Sequence, residues 1–171
     1  MPITNRFEIK NIAQAAPGEL FTADIAGPSL GIALERQEGD QLVAAVLLRS
    51  GLDGFHPLWT QIRPEQRIRT FGRDWVLDLD LGLYAYPGNT DRYDNAGTIA
   101  VSDGQVVLRA NGDSPRPHSR PARINLVEFR FSDTNPISED MTCIDKWAIW
   151  LNEQERLRLG ATPLFEFKPK E

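Results

Sequence analysis

Segment 73–83 alternates apolar and polar residues along its length. From Trp75 onward every second residue is large and apolar, and the residues between include Asp78 and Asp80. A period of two is the repeat of an extended strand, in which one face enters a core and the other meets water. The segment therefore predicts a β-strand whose inward face is formed by Trp75, Leu77, Leu79, Leu81 and Leu83.

Short apolar segments separated by Gly, Pro, Asp and Asn fill most of the chain, a pattern typical of all-β proteins. The segment 42–48 (LVAAVLL) is apolar on both faces, which indicates a central strand covered on both sides. We expect it to form a hairpin with the segment before it, 30–36. Further strands are predicted at 7–9, 20–25, 98–102, 105–110, 124–131 and 164–167.

Two further hairpins can be aligned residue by residue. Gly72 suits a two-residue turn over 71–74, which would pair Arg67 with Asp78 on the face opposite Trp75. The sequence Asp103-Gly104 is a strong signal for a second two-residue turn. That turn would pair Val101 with Val106 and Ile99 with Leu108.

Segment 137–159 supports two interpretations. Its apolar residues step by four and three, which predicts a helix covering at least 144–155, although Trp147, Ile149 and Leu151 also alternate as in a strand. With the helix, the chain is predicted to be one mainly β domain over 1–171: an antiparallel β-sandwich or flattened barrel built from hairpins, with one helix near the C-terminus. The expected core contains Trp75, Leu77, Leu79, Leu81, Val101, Val106, Val127 and Phe129.

Composition narrows the function classes. At 41% hydrophobic residues, the 171-residue chain can bury a core without disulfides, and it has a single cysteine, Cys143. The net charge of -5 argues against a general nucleic-acid-binding protein, because phosphate contacts need a basic face. No signal peptide is visible, and the apolar run 42–48 is too short to span a bilayer. We therefore expect a cytoplasmic protein with no nucleic-acid or membrane partner.

Two long loops are candidates for binding. Segment 84–97 carries Tyr84, Tyr86, Asp91, Tyr93 and Asp94, and tyrosines with adaptable polar neighbours are typical of recognition loops. Segment 111–123 is rich in proline and cations, which could bind a phosphate, a carboxylate or an acidic partner. Its arginines are Arg116, Arg120 and Arg123. Both segments could instead be plain surface turns.

Catalytic and metal-binding motifs are scarce. Asp78, Asp80 and the aspartates of 91–95 could supply oxygen ligands, but Tyr93 and Ala96 break the calcium-loop pattern, so we expect no metal and no cofactor. His56 follows Ser50 by six residues, yet no Gly-x-Ser-x-Gly motif is present.

The sequence favours a non-enzymatic module that binds another protein or a polar small ligand through loops 84–97 and 111–123. One alternative is a hydrolase of carbohydrates or esters that uses Asp78 and Asp80, or His56. The other alternative is a structural subunit that assembles through an edge strand such as 165–167, and a homo-oligomer is compatible with any of the three.

Overall fold

The fold is mainly β with antiparallel sheets and one short helix near the C-terminus, as the sequence predicts. The computed structural model describes residues 7–36, 38–51, 56–88, 96–112, 122–131 and 140–169. Its strands are Glu8–Asn11 (β1), Leu20–Asp24 (β2), Pro28–Ala33 (β3), Val43–Arg49 (β4), Leu58–Ile62 (β5), Arg67–Gly72 (β6), Val76–Leu79 (β7), Ala85–Pro87 (β8), Ile99–Ser102 (β9), Gln105–Ala110 (β10), Ala122–Asn125 (β11), Arg130–Phe131 (β12), Thr142–Ile144 (β13), Trp147–Trp150 (β14) and Phe165–Phe167 (β15). The helix Glu153–Leu157 (α1) precedes β15, and a 3-10 turn, Ile12–Gln14, follows β1.

The strands form three sheets. The first sheet has the order β1-β6-β2-β3-β4-β5, and the second has the order β12-β11-β10-β9-β13-β8. The third and smallest sheet has the order β15-β14-β7. Residues of all three sheets meet in one buried cluster, so the first two sheets and the smaller third sheet share a core.

The first sheet buries apolar side chains on both faces. Along β4, Val43, Ala45 and Leu47 belong to one cluster, and the alternate residues belong to another. We call the first the inner cluster; it also contains Ile12, Phe21, Ala33, Leu58, Ile62 and Ile68. We call the second the inter-sheet cluster, because Leu108 and Ile124 of the second sheet and Trp147 of the third join it. The doubly covered strand and its hairpin with β3 are confirmed.

The first sheet curls around the inner cluster. Strands β5 and β6 lie near opposite edges of the sheet, yet only residues 63–66 connect them. The Gln66 amide donates to the Arg63 carbonyl at 3.0 Å, which makes this connection a tight turn. A flat sheet would hold β5 and β6 about four strand spacings, or roughly 19 Å, apart, which a tight turn cannot span. The curl lets Ile62 and Ile68 pack in the same cluster.

The hairpin around Asp103-Gly104 is confirmed in register. Val106 lies opposite Val101, and Leu108 lies opposite Ile99. Gly104 has a φ of 74°, the left-handed conformation that the predicted turn requires.

The hairpin predicted around Gly72 is wrong. Gly72 does have a positive φ of 79°, but β6 already pairs with β1 on one side and β2 on the other. With both edges of β6 occupied, the chain leaves the first sheet and β7 pairs with β14. Asp78 consequently lies opposite Ala148 and not opposite Arg67.

The predicted core is correct only in part. Trp75, Leu77, Leu79, Val101, Val106 and Phe129 pack against the inter-sheet cluster, although none of them is fully buried. Strand β7 ends at Leu79, so the alternation continues without a sheet to support it, and Leu81 and Leu83 are exposed.

Segment 124–131 is not a single strand, contrary to the prediction. The Asn125 side-chain oxygen accepts from the Val127 and Glu128 amides, and the resulting turn leaves Val127 exposed.

The helix predicted over at least 144–155 is wrong, and the alternative strand interpretation is correct for Trp147–Trp150. Trp147 and Ile149 point inward and pair with β15 on one side and β7 on the other. Tertiary pairing therefore overrides the helical spacing. The helix begins only after Asn152, whose side chain caps it by accepting from the Glu155 amide.

A polar network lies where β1, β2 and β6 meet. Both oxygens of Glu19 are used: Lys10 and the Ala16 amide donate to one, and Thr70 donates to the other at 2.6 Å. Burial raises the pKa of Glu19, but these hydrogen bonds outweigh burial and lower it overall. The network thereby satisfies an ion pair whose two side chains are only 13% and 12% exposed.

We expect Leu108→Ala to lower the free energy of unfolding by about 2 to 5 kcal/mol, because Leu108 is fully buried in the inter-sheet cluster. Leu81→Ala removes the same atoms from a side chain that is 70% exposed and should change stability by less than about 0.5 kcal/mol. Urea denaturation of both variants measures the difference. Equal losses would contradict the placement of β7 and the end of its pairing at Leu79.

We expect Glu19→Gln to destabilise the protein at neutral pH and to matter less in acid. The folded-state pKa of Glu19 is lowered, so its stabilisation is present above the unfolded value of about 4.3 and disappears as pH falls through the folded value. Denaturation from about pH 7 to pH 3 should show the gap between wild type and variant closing. Glu8→Gln is the control, since Glu8 also pairs with Lys10 but is 71% exposed. A gap that widens in acid would contradict the network.

Candidate functional site

The second sheet turns one face toward the first sheet and the other face away from it. Ile99, Leu108 and Ile124 point toward the first sheet, so their neighbours along each strand point away. On this far face the strand registers align Tyr86, Cys143 and Ala100 in one row across the sheet. The adjoining row contains Asp145, Thr98, Arg109 and Arg123. Arg109 and Arg123 lie opposite each other in the register of β10 and β11.

Asp145 is the centre of this polar face. Its Oδ1 accepts from the Tyr86 hydroxyl at 2.9 Å and from the Thr98 hydroxyl at 2.7 Å. The three residues come from β8, from the end of β13 and from the start of β9, so the contact joins three neighbouring strands through side chains. We call Tyr86, Thr98 and Asp145 the Asp145 cluster.

Burial governs the acid–base chemistry of this face. Burial raises the pKa of Tyr86, to which the negative charge of Asp145 also contributes. Burial likewise raises the pKa of the Cys143 thiol to about 11, with Asp145 adding to the rise and Arg109 opposing it. A fully buried thiol with so high a pKa is neutral at physiological pH, so it cannot act as a nucleophile. Arg109 is itself only 1% exposed.

Tyr84 lies at the accessible edge of this sheet. Its carbonyl accepts from the Asp145 amide, and its ring, 37% exposed as a residue, lies under the Lys146 ammonium at 5.1 Å. Lys146 also pairs with Asp80 at 3.0 Å. The hydrogen bond from Lys146, with that from the Gly82 amide, holds the pKa of Asp80 below its usual value.

Segment 84–97 is not a single loop, because its residues Ala85–Pro87 form β8. Tyr84 lies beside Asp145 at one end of the second sheet, and β8 runs from there to Pro87, which lies opposite Thr142 toward the other end. Gly97 lies at the Asp145 end again, where its amide donates to the Arg109 carbonyl. The second loop leaves the sheet after Ala110 and returns at Ala122, its partner in the register. Gly97 is fixed in turn by the Trp147 indole, which donates to its carbonyl at 2.7 Å. A side chain at Gly97 would collide with the Phe167 ring.

The predicted site residues divide into two groups. Tyr84, Tyr86 and Arg123 lie on or beside the second sheet, with Tyr86 and Arg123 half-buried. Asp91, Tyr93, Asp94, Arg116 and Arg120 lie outside the described residues. Sequence reasoning missed Thr98, Arg109 and Asp145. The alternation in the confirmed hairpin could have placed Arg109 opposite the core, but the helix predicted over 144–155 concealed Asp145.

The residues of the hydrolase alternative form a serine–histidine pair and two carboxylate–cation pairs. Ser50 Oγ and His56 Nε2 lie 2.7 Å apart, within hydrogen-bonding distance. The two aspartates face cations: Asp80 pairs with Lys146, and Asp78 lies 4.0 Å from Arg156. Both carboxylates therefore lie beside cations, in β7 or directly after it.

Three further observations concern metal binding, membrane-spanning helices and the edge strand of the assembly alternative. Within the described ranges, no group of three or more His, Cys, Asp or Glu side chains is placed to bind a metal ion. In the same part of the chain no helix has the length and apolar character of a membrane span. β15 is an edge strand of the third sheet, the position that the assembly alternative requires, and its phenylalanines pack on Trp147.

No protein-family model, no curated protein and no solved structure matches this chain.

Proposed function

We propose that this protein is a non-enzymatic binding module that engages another protein or a polar ligand through loops 84–97 and 111–123. One observation carries the proposal: Tyr84 and Gly97, the first and last residues of segment 84–97, lie at the end of the second sheet at which segment 111–123 leaves and returns, beside the Asp145 cluster. Segments whose ends meet at one end of a rigid sheet can present a single recognition surface.

The anchoring of the loop ends supports this function. The Asp145 cluster anchors β8 through Tyr86, and the Trp147–Gly97 hydrogen bond fixes the point at which segment 84–97 returns to the second sheet. Fixed ends lower the entropy lost when a loop binds, which favours affinity. Tyr84 adds an exposed aromatic ring held by a cation, and tyrosine side chains carry much of the binding energy at protein interfaces.

A photo-crosslinking amino acid in place of Tyr84 tests the proposal in a lysate of the source cells, with the same replacement at the fully exposed Leu159 as control. The captured molecule is then purified and titrated. We expect Tyr84→Ala to weaken its binding by about 1 to 2 kcal/mol, while Leu159→Ala leaves it unchanged. Both variants should unfold at the wild-type temperature, since neither side chain is in the core. Unchanged affinity in Tyr84→Ala, or capture from both positions alike, would contradict the proposal.

The Ser50–His56 pair supports a second candidate function, ester hydrolysis. A serine within hydrogen-bonding distance of a histidine is the first requirement of an activated nucleophile. The imidazole would take the hydroxyl proton as the serine oxygen attacks the ester carbonyl and would return it to the departing alcohol.

Turnover of p-nitrophenyl acetate by the full chain decides between the two functions. The binding-module proposal predicts that Ser50→Ala and His56→Ala release p-nitrophenol at the wild-type rate, which is then a background reaction. A loss of about a hundredfold or more in both variants would establish the hydrolase instead. Ser102→Ala, at a position of β9 in the second sheet, is the control for the loss of any serine.

A further inference from the structure

A groove on the first sheet contains three arginines. It encloses about 480 Å³ and lies over β1, β6, β2 and β3 and the end of β4. Arg49, Arg67 and Arg69 line it, and all three are exposed residues. The volume is within the range of ordinary small-ligand sites.

The strand register explains why the arginines converge. Arg69 lies opposite Ile9 of β1 and opposite Thr22 of β2, which places these side chains on one face. Arg67 shares that face, two residues earlier on β6. Arg49 enters from β4, where it lies opposite Leu30, the residue that pairs with Thr22. One row across the sheet thus joins Arg69 to Arg49 through Thr22.

None of the three guanidinium groups has an ion-pair partner within 4 Å among the residues that the structure describes. Arg69 contacts the Phe7 ring, at 5.9 Å, which leaves its charge uncompensated. By contrast, Lys10, Lys146, Arg130, Arg156, Arg158 and Lys168 all pair with carboxylates. Three cations that have no such partner among the described residues repel each other in one groove, and a bound anion would relieve that repulsion.

The polar lining indicates which anion would fit. The three arginines and Asp24 give the groove a net charge of +2, which matches a phosphate dianion. Asp24 Oδ1 already accepts from the Gly27 amide, which stabilises the β2–β3 turn. The Thr22 hydroxyl can donate one more hydrogen bond to a phosphate oxygen.

Apolar side chains flank the charges. Ile9, Ala23 and Pro28 also line the groove, and Ile9 is 52% exposed. An organic group attached to the phosphate could cover them. We propose that this groove binds the phosphate group of a small phosphomonoester, with Arg49, Arg67 and Arg69 contacting its oxygens. The groove's described lining residues all lie outside segments 84–97 and 111–123.

Calorimetric titration of the full chain with inorganic phosphate and with phenyl phosphate, at constant ionic strength, tests the proposal. We expect saturable one-to-one binding of both, with phenyl phosphate tighter because its ring covers Ile9 and Pro28. Arg49→Gln, Arg67→Gln and Arg69→Gln should each weaken binding about tenfold, the factor that corresponds to losing one charge-assisted hydrogen bond. Arg63→Gln is the matched control, since Arg63 is an exposed arginine in the turn before β6 and does not line the groove.

Thermal unfolding gives an independent measurement. Phosphate should raise the unfolding temperature of the wild type and of Arg63→Gln, and this rise should be lost in Arg67→Gln. Without phosphate, Arg67→Gln should unfold at or above the wild-type temperature, because one source of repulsion is removed. The proposal is overturned if neither phosphate compound binds, if Arg63→Gln weakens binding as much as the groove variants, or if a DNA oligonucleotide binds while both phosphate compounds do not.

Discussion

The burial of both faces of the first sheet is the constraint on which the rest of the structure depends. Alternate apolar residues of strand β4 belong to the inner cluster and to the inter-sheet cluster, so both faces of the sheet must be shielded from water. The sheet covers its inner face by curling on itself. Its outer face needs another layer, and the second and third sheets supply it.

This requirement decides where the polar chemistry lies. The second sheet uses Ile99, Leu108 and Ile124 to cover the first sheet, which leaves its far face for the Asp145 cluster, Arg109 and Arg123. The third sheet contributes the link between the core and that face. Trp147 packs against Phe165, stacks on Phe167 and donates from its indole to the Gly97 carbonyl, so packing in the core fixes the end of segment 84–97.

The two proposed sites have different structural origins. At the arginine groove, side chains of the first sheet's outer face remain exposed. At the second sheet, segment 111–123 leaves and returns at the end at which Tyr84 and Gly97 lie. The sites also differ in charge, because the groove is cationic in an acidic protein while the Asp145 cluster uses neutral donors around one carboxylate. A ligand at one site need not compete with a ligand at the other.

The sequence by itself determined the fold class, the doubly covered strand and two hairpins, because alternation and turn chemistry are local properties. It also identified Tyr84, Tyr86 and Arg123 as candidates. Tertiary structure alone decided the partners of β6 and β7, since the alternation of a strand does not specify which strand lies beside it. It likewise decided that Trp147–Trp150 is a strand, because pairing with β7 and β15 outweighs helical spacing. Asp145 and the arginine groove could not be predicted for the same reason: each is assembled by strand pairings between residues distant in sequence.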